Sequence, residues 1–213
     1  MEIQGVIFDL DGVICFTDHY HYLAWKTVAD QEDIYFDKEI NNRLRGVSRM
    51  DSLNIILERA KKEYSEEEKK NLAFQKNEIY KQYLNNMTEK DVSKDTLITL
   101  RELKEKNIKI AIGSSSKNTK LILKKIGLLD YFDAICDGND ISKSKPDPEV
   151  FLKAAEMLHL KPEHCLVIED ASAGIEAAKA GNFTAVGIGD AHYYAKTDYP
   201  ITKLKDILDI ISK

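Results

Sequence analysis

The stretch Val6-Ile7-Phe8-Asp9-Leu10-Asp11-Gly12 constrains this chain more than any other. An apolar run of this length, closed by a turn signal, reads as a buried strand of a parallel sheet. Residues i and i+2 of an extended backbone point to one side, so Asp9 and Asp11 can face one site. Gly12 lets the chain turn away tightly. A strand ending in an ordinary Asp-Gly turn is the plainer reading. It leaves Asp9 unexplained, because the carboxyl end of a strand is where open α/β sheets bind ligands.

Behind Gly12 the pattern changes from strand to helix. From Thr17 onward, aromatic and aliphatic residues recur at helical spacing through Lys26. A second helix fits residues 37–44. Ser48 with Asp51 forms a capping box for a third, which carries Leu53, Ile56, Leu57 and Ala60 on one face. Ser65 with Glu68 does the same for a fourth, with Leu72, Ile79, Tyr83 and Leu84 on its apolar face and Lys76 on its polar one. Glu66-Glu67-Glu68 reads as a solvated first turn favoured by the helix dipole.

From about residue 95 strands alternate with helices. A helix ends near Asn107, and a strand over 108–112 runs into Gly113-Ser114-Ser115-Ser116-Lys117-Asn118. A helix to Gly127 follows, then a short strand over 132–136 and the loop Lys143-Ser144-Lys145-Pro146-Asp147-Pro148. After another helix, a strand over 165–168 ends in Glu169-Asp170. A helix to Lys179, a weak strand over 184–188 and a short helix finish the chain. Such alternation implies a parallel sheet covered on both faces. The expected fold is therefore α/β: a Rossmann-like parallel-sheet core of residues 1–16 and 88–213, with a helical cap of residues 17–87 inserted after the first strand.

Composition narrows the function classes. At 213 residues, 43% hydrophobic and 31% charged, the chain is an ordinary globular protein. A net charge of -5 without a long basic run argues against a nucleic-acid groove or an anionic membrane surface. No apolar segment approaches a membrane span, and Met1-Glu2-Ile3-Gln4 lacks the basic region of a signal peptide. Cys15, Cys136 and Cys165 are an odd count without metal-like spacing, as expected of buried thiols in a reducing cytoplasm. Small molecules, rather than nucleic acid or membrane, are the expected partners of a cytoplasmic monomer.

Asp9, Ser114, Lys145 and Asp170 all fall at or just beyond the carboxyl ends of expected strands, along the edge that forms the binding crevice of a parallel sheet. Each has a duller explanation alone. Ser114 fits a helix cap, Lys145 a solvated residue before a proline turn, and Asp170 an N-cap. Jointly they gather carboxylates, a hydroxyl and an ammonium around one point. Carboxylates cannot approach an anionic phosphate unaided, so a hard cation such as Mg²⁺ is implied. With it, an aspartate can attack phosphorus while lysine and metal neutralise the transferring oxygens.

Asp9-Leu10-Asp11-Gly12-Val13, Ser114, Lys145-Pro146 and Glu169-Asp170 resemble the four motifs of the haloacid dehalogenase superfamily. His21-x-x-x-Trp25, Gly46-Val47-Ser48-Arg49-x-Asp51-Ser52, Lys76-Asn77 and Ser114-x-Ser116-Lys117-Asn118 resemble, more narrowly, the β-phosphoglucomutase family. That resemblance covers nearly the full length. It implies isomerisation of β-glucose 1-phosphate to glucose 6-phosphate through a sugar bisphosphate. Asp9 would be the nucleophile and Asp11 the general acid and base. Asp9, the Asp11 backbone carbonyl and Asp170 would hold Mg²⁺, with Glu169 in or beside the shell. Ser114 and Lys145 would grip the transferring phosphoryl group.

The same resemblance gives Arg49, Ser116, Lys117 and Asn118 the sugar's other phosphate. His21 and Lys76 would contact the sugar or support Asp11, and Thr17 would sit at the hinge. Trp25, Gly46, Val47, Ser48 and Ser52 would complete the substrate site. Plainer readings stand beside these. Trp25 fits core packing, His21 a surface residue, and Arg49 a pair with Asp51. Two departures lie near the hinge and the substrate loop: Cys15-Phe16 where the family pattern has Thr-Asp, and Arg45 in place of lysine. A sugar-phosphate phosphatase is the alternative within the fold, and a sugar-phosphate-binding regulator the alternative outside catalysis.

Overall fold

In the computed structural model, residues 2–44 and 47–212 are described; Arg45 and Gly46, part of the expected substrate loop, lie outside them. The chain divides into two compact units, Met1–Phe16 with Thr88–Lys213, and Thr17–Met87.

In the first unit the strands are β1 (Gly5–Phe8), β2 (Lys109–Gly113), β3 (Ala134–Cys136), β4 (Cys165–Glu169), β5 (Thr184–Gly187) and β6 (Tyr199–Pro200). Among the described residues they form one six-stranded sheet in the order β3-β2-β1-β4-β5-β6, with every neighbouring pair parallel. The helices of this unit are α5 (Lys94–Glu105), α6 (Thr119–Lys125), α7 (Glu149–Met157), α8 (Ser172–Ala180) and α9 (Ile207–Ile211). Ile7, Ala111 and Val167 enter a cluster with Val150 and Phe151 of α7 and Ile175 of α8. Their alternates Val6, Phe8, Ile110 and Ile112 are also fully buried. Both faces are covered, which is why the central strands read as continuous apolar runs rather than alternating ones. Burying one such side chain contributes roughly 1.5–3 kcal/mol. The strand expected over 132–136 is the shorter Ala134–Cys136, and β6 carries too few residues to show a period of two.

The second unit holds α1 (Asp18–Gln31), α2 (Lys38–Asn42), α3 (Arg49–Leu57) and α4 (Glu66–Leu84). Trp25, Val28, Phe36, Ile40, Leu53, Ile56 and Leu72 form its core. Asp37 does not enter α2 but caps it, accepting the Ile40 N–H at 2.9 Å. The Ser65–Glu68 capping box is complete: Ser65 Oγ accepts the Glu68 N–H, and Glu68 accepts the Ser65 N–H at 2.8 Å. Ser48 makes only half of its own. It accepts the Asp51 N–H at 3.2 Å, but its hydroxyl donates to the Asp51 carboxylate at 2.6 Å.

Lys76 corrects the sequence reading. It is buried, on the face of α4 that also buries Leu72, Ala73, Tyr80 and Leu84. Its apolar stem travels with that face, and its ammonium lies over the rings of Trp25 and Tyr80, at 4.9 and 4.6 Å from their centroids. Cys15, Cys136 and Cys165 are buried free thiols. Among the described residues no helix is long and apolar enough to cross a membrane.

Candidate active site

Phe8 pairs with Ile112 on one side and Ile168 on the other, so the next residues on three adjacent strands are Asp9, Gly113 and Glu169. The strand order changes direction between β1 and β4, the switch point at which open sheets hold ligands. The Asp9 N–H donates to the Ile168 carbonyl at 2.9 Å, a last ladder bond that fixes where the carboxylate leaves the sheet. Gly12 then adopts a φ of +90°, and a Cβ there would lie 2.1 Å from Asp170 Oδ2. No other residue could carry the chain past Asp170 in this way.

Lys145 reaches the same place from the loop between β3 and α7. It is buried, so the solvated reading fails. Its ammonium donates to Asp9 Oδ1 at 2.5 Å and to Glu169 Oε1. The other Glu169 oxygen accepts the N–H groups of Asp170 at 3.1 Å and Ala171 at 3.2 Å. Asp170 is therefore not the N-cap of α8, whose cap position is Ala171. Burial works against the Lys145 charge, but Asp9 and Glu169 outweigh it and raise its pKa, so it remains an ammonium.

Asp170 is pushed up to about 8, by burial first and then by the charges of Asp9, Glu169 and Asp11. Glu169 is also raised, by burial first, with Lys145 pulling it down and Asp9 pushing it up. The cluster holds more negative charge than one ammonium balances. One carboxylate oxygen from each of Asp9, Glu169 and Asp170 lies within 4.8 Å of the others. A hard divalent cation fits an all-oxygen donor set with surplus negative charge, and a thiolate-seeking metal does not.

Ser114 leaves β2 with its N–H donated to the Cys136 carbonyl at 3.1 Å. Its hydroxyl accepts the Ser116 N–H at 3.2 Å, and the Ser116 hydroxyl accepts the Asn118 N–H at 3.2 Å. Each hydroxyl oxygen is thus turned toward the loop as an acceptor, leaving its own proton to be donated to an anion. Ser114 and Asn118 are buried, whereas Lys117 is exposed and pairs with no carboxylate among the described residues.

The helical unit assembles its own group. Thr17 is fully buried, and its hydroxyl accepts the Tyr80 OH at 2.9 Å. His21 Nδ1 lies 2.7 Å from Lys76 Nζ, and the His21 ring sits 4.1 Å from that of Tyr80. Trp25 belongs to the core of this unit while offering its ring to Lys76. Ser52 is buried, and Val47 and Ser48 are half-buried. Arg49 opens α3 without a carboxylate partner among the described residues, and the Asp51 carboxylate accepts the Ser48 hydroxyl. Burial lowers the Arg49 pKa, opposed by Tyr80 and Glu78. Tyr80 escaped the sequence reading. The signal was there, since it stands four residues beyond Lys76 on the face of Leu72 and Leu84.

Comparison with known proteins points the same way. The haloacid dehalogenase-like hydrolase family matches residues 3–182. A β-phosphoglucomutase of Bacillus subtilis is 42% identical over 96% of this chain and 92% of its own. The crystal structure of a β-phosphoglucomutase from Clostridium difficile superposes with a TM-score of 0.92 at 39% identity, covering 99% of this chain and 96% of its own. A phosphorylated carbohydrates phosphatase of Thermotoga maritima is 29% identical over 86% of this chain and 84% of its own. A Rossmann-like parallel sheet whose central strands end in Asp9 and Glu169-Asp170, joined by a buried Lys145, thus places this chain in the haloacid dehalogenase-like hydrolase family, to which it belongs.

Proposed function

We propose that this chain is a cytoplasmic, monomeric, Mg²⁺-dependent phosphomutase that interconverts β-D-glucose 1-phosphate and glucose 6-phosphate. Its 42% identity to the Bacillus subtilis β-phosphoglucomutase, sustained over 96% of the chain, carries the reading. The Asp9 and Asp170 side chains and the Asp11 backbone carbonyl would hold Mg²⁺, with Glu169 beside them. Once bound, the ion supplies positive charge against the transferring phosphoryl oxygens.

The remaining chemistry falls to the chain. Asp9 carries the phosphoryl group as an aspartyl phosphate, oriented by Lys145. The C6 hydroxyl of β-glucose 1-phosphate attacks phosphorus, the bond from phosphorus to the Asp9 oxygen breaks, and Asp11 takes the hydroxyl proton. The product is the sugar bisphosphate, which turns end for end. Asp9 then attacks the C1 phosphorus, the bond from phosphorus to the C1 oxygen breaks, and Asp11 returns the proton to that oxygen. Glucose 6-phosphate leaves and the phosphorylated enzyme is restored. Lys145 and the Ser114 hydroxyl steady the phosphoryl oxygens in both directions.

The resemblance assigns the phosphate that does not react to Arg49, Ser116, Lys117 and Asn118. Arg49 suits this role because it lacks a carboxylate partner among the described residues. Thr17, His21, Trp25, Gly46, Val47, Ser48, Ser52 and Lys76 make up the rest of the sugar site.

A phosphatase would use the same core with water in place of the sugar hydroxyl, and the Thermotoga maritima relative keeps that reading in view. One coupled assay separates them. With β-glucose 1-phosphate, a trace of bisphosphate and Mg²⁺, glucose 6-phosphate should far exceed free phosphate. Phosphate release as the dominant outcome would make the chain a phosphatase.

A further inference from the structure

We infer that Asn139 is a positioning residue for the loop Ser114–Asn118, pinning it so that the loop can grip the sugar's non-reacting phosphate. The inference rests on the reading that this loop takes that phosphate. Asn139 lies in the turn that follows β3, and its side chain is exposed. Even so, its carboxamide nitrogen is fully used. It donates to the Lys117 carbonyl at 3.1 Å and to Asp137 Oδ1 at 3.0 Å. The Asn139 backbone N–H also donates to Asp137 Oδ1, at 2.8 Å. One residue earlier, the Gly138 N–H donates to the Ser116 carbonyl at 3.1 Å.

Two successive carbonyls of the loop are therefore held by one turn. A peptide unit is planar and trans, so fixing its carbonyl fixes its N–H in the opposite direction. The bond at Ser116 turns the Lys117 N–H away from the turn. The Asn139 bond at Lys117 turns the Asn118 N–H the same way, and that N–H is the one the Ser116 hydroxyl accepts. Asn139 thus sets the Ser116 hydroxyl through a single peptide plane.

Asp137 makes this arrangement costly enough to need a purpose. Its carboxylate is wholly buried, and its Oδ2 has no hydrogen-bond partner among the described residues. A buried carboxylate left unpartnered on one side costs free energy. Within the fold, what its other oxygen does is hold Asn139 in place.

Asn139→Ala tests the inference, because the residue is exposed and Asp137 Oδ1 still accepts the backbone N–H of residue 139 once the side chain is gone. The KM for β-glucose 1-phosphate should rise about fivefold, the worth of one neutral hydrogen bond, while kcat and acetyl phosphate hydrolysis change less than twofold. Asn139→Asp, which sets a carboxylate against Asp137, should raise KM further. An unchanged KM, or equal losses in the two reactions, would overturn the positioning role. Lys117→Ala separates this from the underlying reading. If Lys117→Ala raises KM and Asn139→Ala does not, only the inference fails. If Lys117→Ala leaves KM unchanged, the loop does not hold the phosphate and both fail.

Discussion

Lys76 Nζ lies 2.7 Å from His21 Nδ1, and an ammonium has only hydrogens to give. Nδ1 must therefore be the acceptor, which makes His21 a neutral imidazole with its proton on Nε2. Tyr80 braces both partners: its ring lies against that of His21 at a tilt of 33°, sits under the Lys76 ammonium, and its OH reaches Thr17. Thr17, His21, Trp25, Lys76 and Tyr80 are thus joined into one hydrogen-bonded and cation–π group.

That neutral state has a consequence for pH. The His21 pKa is held well below its ordinary value of 6.5, by burial first and then by the Lys76 and Arg49 charges. Below 6.5 the unfolded chain takes up a proton that the folded cap refuses, so this group removes stability as pH falls toward the folded pKa. Above 6.5 it contributes no slope. The slope cannot exceed about 1.4 kcal/mol per pH unit, and partial exposure reduces it. His21→Gln keeps an acceptor for Lys76 and lacks the titration. The stability difference between wild type and variant, measured by denaturant unfolding, should shift between about pH 7 and about pH 5. A constant difference would mean that His21 charges within the fold.

In the proposed mechanism, Arg49 is the residue that separates a mutase from a phosphatase. A mutase must hold a bisphosphate by the phosphate that is not reacting, and a planar guanidinium fork does so with two parallel hydrogen bonds. Charge-assisted bonds contribute roughly 1.5–3 kcal/mol each, so removing the fork should cost on the order of 10²-fold or more. An exposed pair with Asp51 would have been worth only ~1 kcal/mol or less, and Asp51 is engaged by Ser48 instead. Arg49→Ala should cripple glucose 6-phosphate formation and reduce acetyl phosphate hydrolysis far less, since that donor has no second phosphate. Unchanged mutase turnover would remove Arg49 from the clamp.

Gly174 is the silent partner of the Lys145–Glu169 pair. A Cβ at this position of α8 would stand 1.9 Å from Glu169 Cδ and 2.0 Å from the oxygen that accepts from Lys145. Alanine gains about 1 kcal/mol over glycine in a helix, whereas forcing a buried group aside costs typically 1–3 kcal/mol. The clash should win. Gly174→Ala is expected to lower the unfolding midpoint and to slow both mutase turnover and acetyl phosphate hydrolysis, because Lys145 loses its second anchor. A stabilised, fully active variant would show that Glu169 can shift without consequence.

How much of this was legible follows from what each residue does. Asp9, Glu169 and Asp170 could be read because parallel strands end on one edge whatever their loops do, so a carboxylate after an apolar run is already placed. Lys145 could be placed near that edge, but its burial could not, since a lysine before a proline turn looks the same solvated or buried. Lys76 was assigned to the wrong face because periodicity counts every lysine as polar, although its stem can line a core. Tyr80, Gly174 and Asn139 act through particular single contacts, among them an OH to Thr17, a space for Glu169 and a bond to the Lys117 carbonyl. Such single contacts leave no repeating pattern in a sequence.

Glu149 governs the loop that delivers Lys145. It stands in the first turn of α7, and one of its oxygens accepts the Ser142 N–H at 2.9 Å, the Ser142 hydroxyl at 2.9 Å and the Lys143 N–H at 2.8 Å. The other pairs with Lys153 at 2.8 Å, one turn along the same helix, and Lys153 in turn donates to the Asp140 carbonyl at 2.6 Å. Two residues of α7 thereby hold the loop at Asp140 and at Ser142–Lys143. Lys153 first, then the Lys143 N–H and the Ser142 donors, bring the Glu149 carboxyl down to about 2 from its ordinary 4.5. A depressed carboxyl pKa stabilises the fold above the unfolded value and loses that effect as pH falls through the folded one. Glu149→Gln should therefore lower the unfolding midpoint at neutral pH, by an amount that shrinks between pH 4.5 and about 2. Measuring the gap between wild type and variant at each pH cancels the acid sensitivity of the other carboxylates, provided they act independently. A gap that stays the same width to the acid end of that range would mean the carboxylate's charge plays no part in holding the loop.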